Sequence, residues 1–382
     1  VTAARLCATL MATVLAGCAS FLPDKDNTEP PAPLPEFEPS VRLHTLWQKD
    51  TGVGVDEQFV KLVPAVYGDV VVIADRKGMV RALDAGTGTG VWTRETGAPL
   101  SAGPGIGDGL VLVGTSDAEV IALDTRAGEI AWRAEVSSEV LSVPRIDRDV
   151  VVVQTVDGNV TALNAEDGSQ RWIYDRSVPT LTLRGTSSPV LAGGLVLAGF
   201  ASGKLAALGL DDGRVLWEAS IAVPRGRSEL ERMVDLDADP VVMGNIVFVA
   251  SYQGRVAAVD ISSGRTVWSR DMSSYAGVAV DYSQLYVTDE HSEVWALDLA
   301  NGGSLWKQDR LRARSLTAPE YYADYVALGD FEGYIHLLSR IDGRLAGRTR
   351  VDSSGILAHP VAVGGILYVY SKDGTLAAYS VE

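Results

Sequence analysis

One phrase recurs eight times along the chain and leaves little freedom in what it can become. Its clearest copies are PAVYGDVVVIADRKGMVRALDAGTGTGVW (64–92), PRIDRDVVVVQTVDGNVTALNAEDGSQRW (144–172) and PVVMGNIVFVASYQGRVAAVDISSGRTVW (240–268). Each holds alternating β-branched runs split by turn residues, the pattern of four short antiparallel strands. A unit of this size cannot bury its apolar faces alone, so successive copies must pack on one another.

The spacing fixes how they pack. The first strands open at Pro64, Pro104, Pro144, Pro189, Pro240, Val278, Pro319 and Pro360. Each of the first seven meets a partner 28 residues later: Trp92, Trp132, Trp172, Trp217, Trp268, Trp306 and, out of pattern, Gly347. The eighth copy stops at Glu382, one strand short, while a spare strand, RLHTLWQKD with Trp47, precedes the first copy. The expected fold is therefore all-β: an eight-bladed β-propeller of four-stranded antiparallel blades, closed by the N-terminal strand carrying Trp47.

Residue chemistry follows the same beat. Gly78, Gly158, Gly203, Gly254, Gly333 and Gly374 fall in the hairpins between second and third strands, and Gly88 and its six equivalents turn the chain four residues before each tryptophan position. Ala82, Ala122, Ala162, Ala207, Ala258, Ala296 and Ala378 are small where the third strand is crowded. Repeat seven, HLLSRIDGRLAG, lacks both the small-residue phrase and the tryptophan, so its junction is expected to be the weakest.

The first forty residues read differently. VTAARLCATLMATVLAGC has one basic residue, an apolar run and small residues before Cys18, the layout of a secretory signal over 1–17. Leu15-Ala16-Gly17-Cys18 resembles a bacterial lipobox, which implies lipidation of Cys18, and Ala19 after it favours the periplasmic face of the outer membrane. Residues 19–40 hold six of the sixteen prolines, so 18–40 is expected to be a polyproline-like tether reaching about 70 Å at about 3.1 Å per residue. The propeller is expected over 41–382.

Charge and chemistry narrow the function. A net charge of −16 disfavours nucleic acid, whose binding needs a basic face. Both cysteines, Cys7 and Cys18, lie in the leader, so the propeller has no thiol for a disulfide, a metal site or a nucleophile. His44, His291, His336 and His359 are scattered over different repeats, and GTGTG at 86–90 lies in a turn rather than before a helix. DLDAD at 235–239 suggests calcium, but Pro240 and Ile246 stand where a calcium loop needs glycine and glutamate. No catalytic, cofactor-binding or metal-binding residue is expected.

Because each repeat is constant, length varies only between one tryptophan position and the next opening residue. The two adjacent stretches from Trp172 to Pro189 and from Trp217 to Pro240, 17 and 23 residues, are long. Meander geometry puts both on one face. In the first, VPTLTLRGTSSP places Leu181 and Leu183 beside Arg184, an apolar and arginine composition common at protein-binding hot spots.

The repeats resemble the tryptophan-docking repeats of quinoprotein propellers over essentially all of the chain after residue 41. Together with the lipobox, the proline tether, the LxLRG phrase and the following DxD phrase, they resemble the BamB family of the outer-membrane β-barrel assembly machinery. The resemblance implies a non-enzymatic scaffold lipoprotein, without cofactor, that docks on the POTRA domains of the barrel subunit BamA. It also allows nascent outer-membrane proteins as clients. The family's docking residues fall on Leu181, Leu183, Arg184, Asp235 and Asp237. The alternative is a periplasmic quinone-binding oxidoreductase or sensor.

Overall fold

The computed structural model describes residues 29–382 apart from Thr180 and Arg184. The leader, the lipobox with Cys18 and the first part of the tether lie outside the described residues. Eight antiparallel sheets follow in order, each a meander from an inner to an outer strand. Blade one is Ala65–Tyr67, Val70–Ala74, Met79–Asp84 and Gly90–Glu95; blade five is Val241–Met243, Ile246–Ala250, Arg255–Asp260 and Thr266–Asp271. Blade eight has Val361–Val363, Ile366–Tyr370 and Thr375–Val381, and its outer strand is Leu43–Asp50 from the other end of the chain. Trp47 sits opposite Ala378 in that pairing, as the closure arithmetic requires.

The tryptophan beat has a geometric cause. Within a blade, each outer-strand tryptophan pairs with the small residue of the third strand: Ala82 with Trp92, Ala162 with Trp172, Ala258 with Trp268. Its ring then reaches the next blade. The Trp47 indole donates to the Ala85 carbonyl at 3.0 Å, Trp92 to Thr125 at 2.9 Å and Trp306 to Arg340 at 2.8 Å. There the ring covers the turn glycine. A Cβ on Gly88 would lie 2.6 Å from the Trp47 ring, and one on Gly343 2.4 Å from the Trp306 ring. The turn therefore needs glycine twice, for its positive φ (68° and 70°) and for the ring above it. Each such ring buries enough apolar area for several kcal/mol, at about 25 cal/mol per Å². Of the hairpin glycines, Gly254 differs: Gln253 takes the positive φ there, at 48°.

Repeat seven departs from the beat because of the closure. A docked tryptophan needs the covalent turn between third and outer strands of the next blade. In blade eight those strands are opposite ends of the chain, so the turn and its glycine do not exist. The missing ring is replaced by an exchange of volumes: Leu337 stands opposite Gly347 where other blades pair alanine with tryptophan. Val41 fills the remaining space, 6% exposed, with its carbonyl 2.9 Å from where a Cβ of Gly347 would be.

The tether boundary also differs from expectation. Ala32–Glu382 form one compact unit. Within it, the Ser40 and Val41 amides both donate to the Ala346 carbonyl, at 2.8 and 3.2 Å. Ala32, Leu34 and Phe37 are half-buried while Pro33, Glu36 and Glu38 are exposed. The apolar residues interspersed among the prolines give this stretch one face to bury.

Candidate functional site

In a meander, the connections from outer to next inner strand share a face with the hairpins between second and third strands. The two long segments, 175–189 and 221–240, therefore rise together beside blade four. The first is pinned at its root. Arg176 donates to Glu218 at 2.6 Å, Tyr174 donates to the same carboxylate at 2.9 Å, and the guanidinium lies over the Phe200 ring at 4.8 Å. The Arg176 hydrogen bond, opposed by burial, holds the Glu218 carboxyl at about 2.

Further along, the two segments are laced by alternating residues. Asp235 accepts the backbone amide of Leu183, Asp237 lies against Gly185, and Asp239 accepts the Ser188 amide at 2.6 Å. The residues between the aspartates point the other way: Leu236 and Ala238 are 1% and 4% exposed and pack in the cores of blades four and five. DLDAD is thus a short extended stretch whose period of two separates an apolar side from a carboxylate side. Among the described residues no group of acidic, histidine or cysteine side chains converges to hold a metal. The aspartates face backbone amides instead.

These carboxylates are poorly compensated. Burial pushes the Asp235 carboxyl up to about 6, against the pull of the Leu183 amide. Burial, then repulsion from Asp235, pushes Asp237 up to about 7 although Lys61 opposes it. Asp239 has two cations beside it. Burial raises it, but Lys61 at 2.5 Å, Arg145 at 3.9 Å and the Ser188 amide outweigh that and hold it below the ordinary value.

Lys61 belongs to Lys61–Leu62, a two-residue strand that adds in parallel to the inner strand of blade two. From there its ammonium reaches Asp239 before blade five and the Thr186 carbonyl at 3.3 Å. The lysine thus ties both long segments to the far side of the ring's axis. Below lies a cavity of about 840 Å³ lined by Leu183, Asp237, Tyr275, Glu320 and His359 among others. Burial pushes Glu320 up to about 7 and His359 down to about 4, so neither brings a full charge to neutral water cheaply.

Of the residues singled out from sequence, Leu181 is 39% exposed at the segment's tip, while Leu183 is partly buried at the cavity mouth. The two differ in exposure. Asp235 is 1% exposed, so its reach ends at the Leu183 amide. Arg184 lies outside the described residues. Sequence reading missed the other apolar groups on this face: Phe59 at 75%, Leu230 at 65% and Val223 at 60% exposed. It also missed Lys61. The signal available was the equally long 17-residue stretch from Trp47 to Pro64.

The family described as outer membrane protein assembly factor BamB matches residues 76–308. The outer membrane protein assembly factor BamB of Pseudomonas aeruginosa is 49% identical over 98% of this chain and 98% of its own. The crystal structure of BamB from Moraxella catarrhalis superposes with a TM-score of 0.81 at 27% identity, covering 88% of this chain and 99% of that one. A quinohemoprotein alcohol dehydrogenase from Comamonas testosteroni superposes with a TM-score of 0.70, covering 88% of this chain and 76% of that one. At 14% identity it shares the fold alone.

Proposed function

The chain belongs to the outer membrane protein assembly factor BamB family, and from that membership we propose that it is a non-catalytic scaffold of outer-membrane protein assembly. Its partner is a BamA-type barrel subunit, engaged through POTRA domains by the face that carries the two long segments. Leu181, Leu183 and Arg184 make the contact; Asp235 and Asp237 act behind it, against Leu183 and Gly185. Lipidation at Cys18 holds the propeller at the periplasmic face of the outer membrane.

The observation that supports this reading is the lacing itself. A segment with exposed apolar side chains is held at Leu183 and Ser188 by the carboxylates of Asp235 and Asp239. Pre-ordering of this kind lowers the entropic cost of docking. The exposed Leu181, Val223, Leu230 and Phe59 supply apolar anchors, and hot spots of this composition cost more than about 2 kcal/mol when truncated together.

The test is co-purification of the barrel subunit from detergent-solubilised envelope by the mature protein. Replacing Leu181, Leu183 and Arg184 together by alanine is expected to reduce recovery by about tenfold or more, with the circular-dichroism melt unchanged. Equal recovery by the triple variant removes this site assignment.

A further inference from the structure

The run Arg310, Arg312, Arg314 has no part in the site above, and its surroundings give it a different task. It lies in the connection from the outer strand of blade six, Ser304–Gln308, to the inner strand of blade seven, Glu320–Tyr322. Arg314 is 2% exposed and spends its donors on Asp330 at 2.8 Å, on Glu332, and on the Ala32 carbonyl at 3.0 Å. Arg310 donates to the Glu36 carbonyl at 3.0 Å. The Arg312 carbonyl accepts the Ala32 amide at 2.9 Å. Arg348, on the outer strand of blade seven, donates to the Pro35 carbonyl at 3.2 Å and lies over the Phe37 ring at 5.3 Å. Phe37 in turn packs on the core that contains Trp306, Leu311 and Leu316.

These contacts match the chemistry of a proline-rich strand. Such a strand has few amides to pair but a full set of carbonyls, and guanidinium forks are the donors suited to them. The connection is bent: Ala313 and Ser315, neither glycine, take left-handed φ of 55° and 48°. Acidic Glu36 and Glu38 stand exposed beside this basic run.

The course of the segment has a consequence. Ala32 lies against 312–314, on the face of the disc that carries the long connections. Val41 lies against Ala346, near the start of blade seven's outer strand and so on the opposite face. Ten residues in polyproline form span about 30 Å, enough to pass along the six-residue outer strand Leu345–Arg350.

We propose that the outer edge of blade seven is a binding groove for an extended, proline-rich segment, that its occupant is the chain's own residues 32–41, and that this seating carries the N-terminal attachment point onto the docking face. The consequence for a membrane anchor rests on Cys18 being lipidated; the seating does not.

Cleavage after Phe37 by chymotrypsin, followed by mass spectrometry on the full mature chain, reads the seating directly and without any barrel subunit. The bond after Phe37 is expected to be cut at least about tenfold more slowly than in the free peptide PAPLPEFEPS. Replacing Arg310 and Arg348 by alanine is expected to recover most of that rate with an unchanged melt, and Arg310→Ala alone, at an exposed side chain, part of it. Wild-type cleavage at the peptide's rate, or a double variant as protected as wild type, overturns the proposal.

Discussion

Two buried carboxylate clusters sit on the same face of the disc and have opposite electrostatic fates. Beside blade seven, Asp330 is fully buried and accepts from the Glu332 and Tyr334 amides, both at 3.0 Å, from Arg314 at 2.9 Å, and from the His336 ring at 2.9 Å. Burial raises its pKa, but the His336 hydrogen bond and charge, the Tyr334 amide and the Arg314 bond outweigh it, and Asp330 lies below the ordinary carboxylate value. Beside blades four and five burial prevails: it raises Asp235 against the pull of the Leu183 amide and Asp237 against that of Lys61, and both lie well above that value. The more donors surround a buried carboxylate, the less its burial costs. The first cluster supports the strap-binding edge. The second underlies the segment proposed to dock a partner, where such cost is characteristic of function.

The comparison breaks most visibly on deletion. Asp330→Ala leaves a guanidinium buried without its main partner and is expected to cost about 3–5 kcal/mol in urea unfolding. Asp237→Ala removes a carboxylate whose burial outweighs the pull of Lys61, and is expected to leave stability unchanged or raised. Equal losses from the two substitutions would mean that burial alone, irrespective of donors, sets their worth.

Asp235→Ala sharpens the contrast inside the second cluster. It strips the Leu183 amide of its acceptor, which is worth about 1–3 kcal/mol for a bond to a charged group. That loss is local. Hydrogen exchange at Leu183 is expected to accelerate by about tenfold or more while amides in the blade strands keep their rates. Co-purification of the barrel subunit should fall although no contact residue has changed. Unaltered exchange at Leu183 would show that the segment holds its course without the carboxylate.

How far these clusters were legible in the sequence depends on whether their partners repeat. The blades were legible because Trp, Ala and Gly each recur at a fixed offset, and the vacancy at Gly347 was visible as a break in that beat. Its cause was not, since it lies in which strands of blade eight share a turn. The docking face was legible as two long gaps. The alternation in DLDAD was visible too, but its target lies 52 residues earlier at Leu183, and no spacing rule connects them. Lys61 was hidden for the same reason: its carboxylate is 178 residues away. Residues 32–40 were read as free tether on their prolines, while the half-buried Ala32, Leu34 and Phe37 were the sign of a seated strap.

The smallest effect is a dependence on pH between 4 and 7 to which Asp237 contributes and Asp330, held below 3.8, does not. Asp237 titrates at an ordinary 3.8 when unfolded and at about 7 when folded. Below pH 4 both states carry the proton and the site costs nothing. Between pH 4 and 7 the unfolded chain gives up its proton while the folded chain keeps it, so stability falls as pH rises, and the full penalty stands above pH 7. His359, depressed to about 4, works in the opposite direction over pH 4 to 6.5, and Glu320, raised to about 7, in the same direction as Asp237. Both remain in an Asp237→Asn variant and cancel in a difference. The variant should therefore melt with the wild type near pH 4.5 and a few degrees above it at pH 8, with the gap opening across pH 5 to 7. A constant gap would mean that the introduced amide gains by packing rather than by loss of a charge, and the contrast with Asp330 would then not be electrostatic.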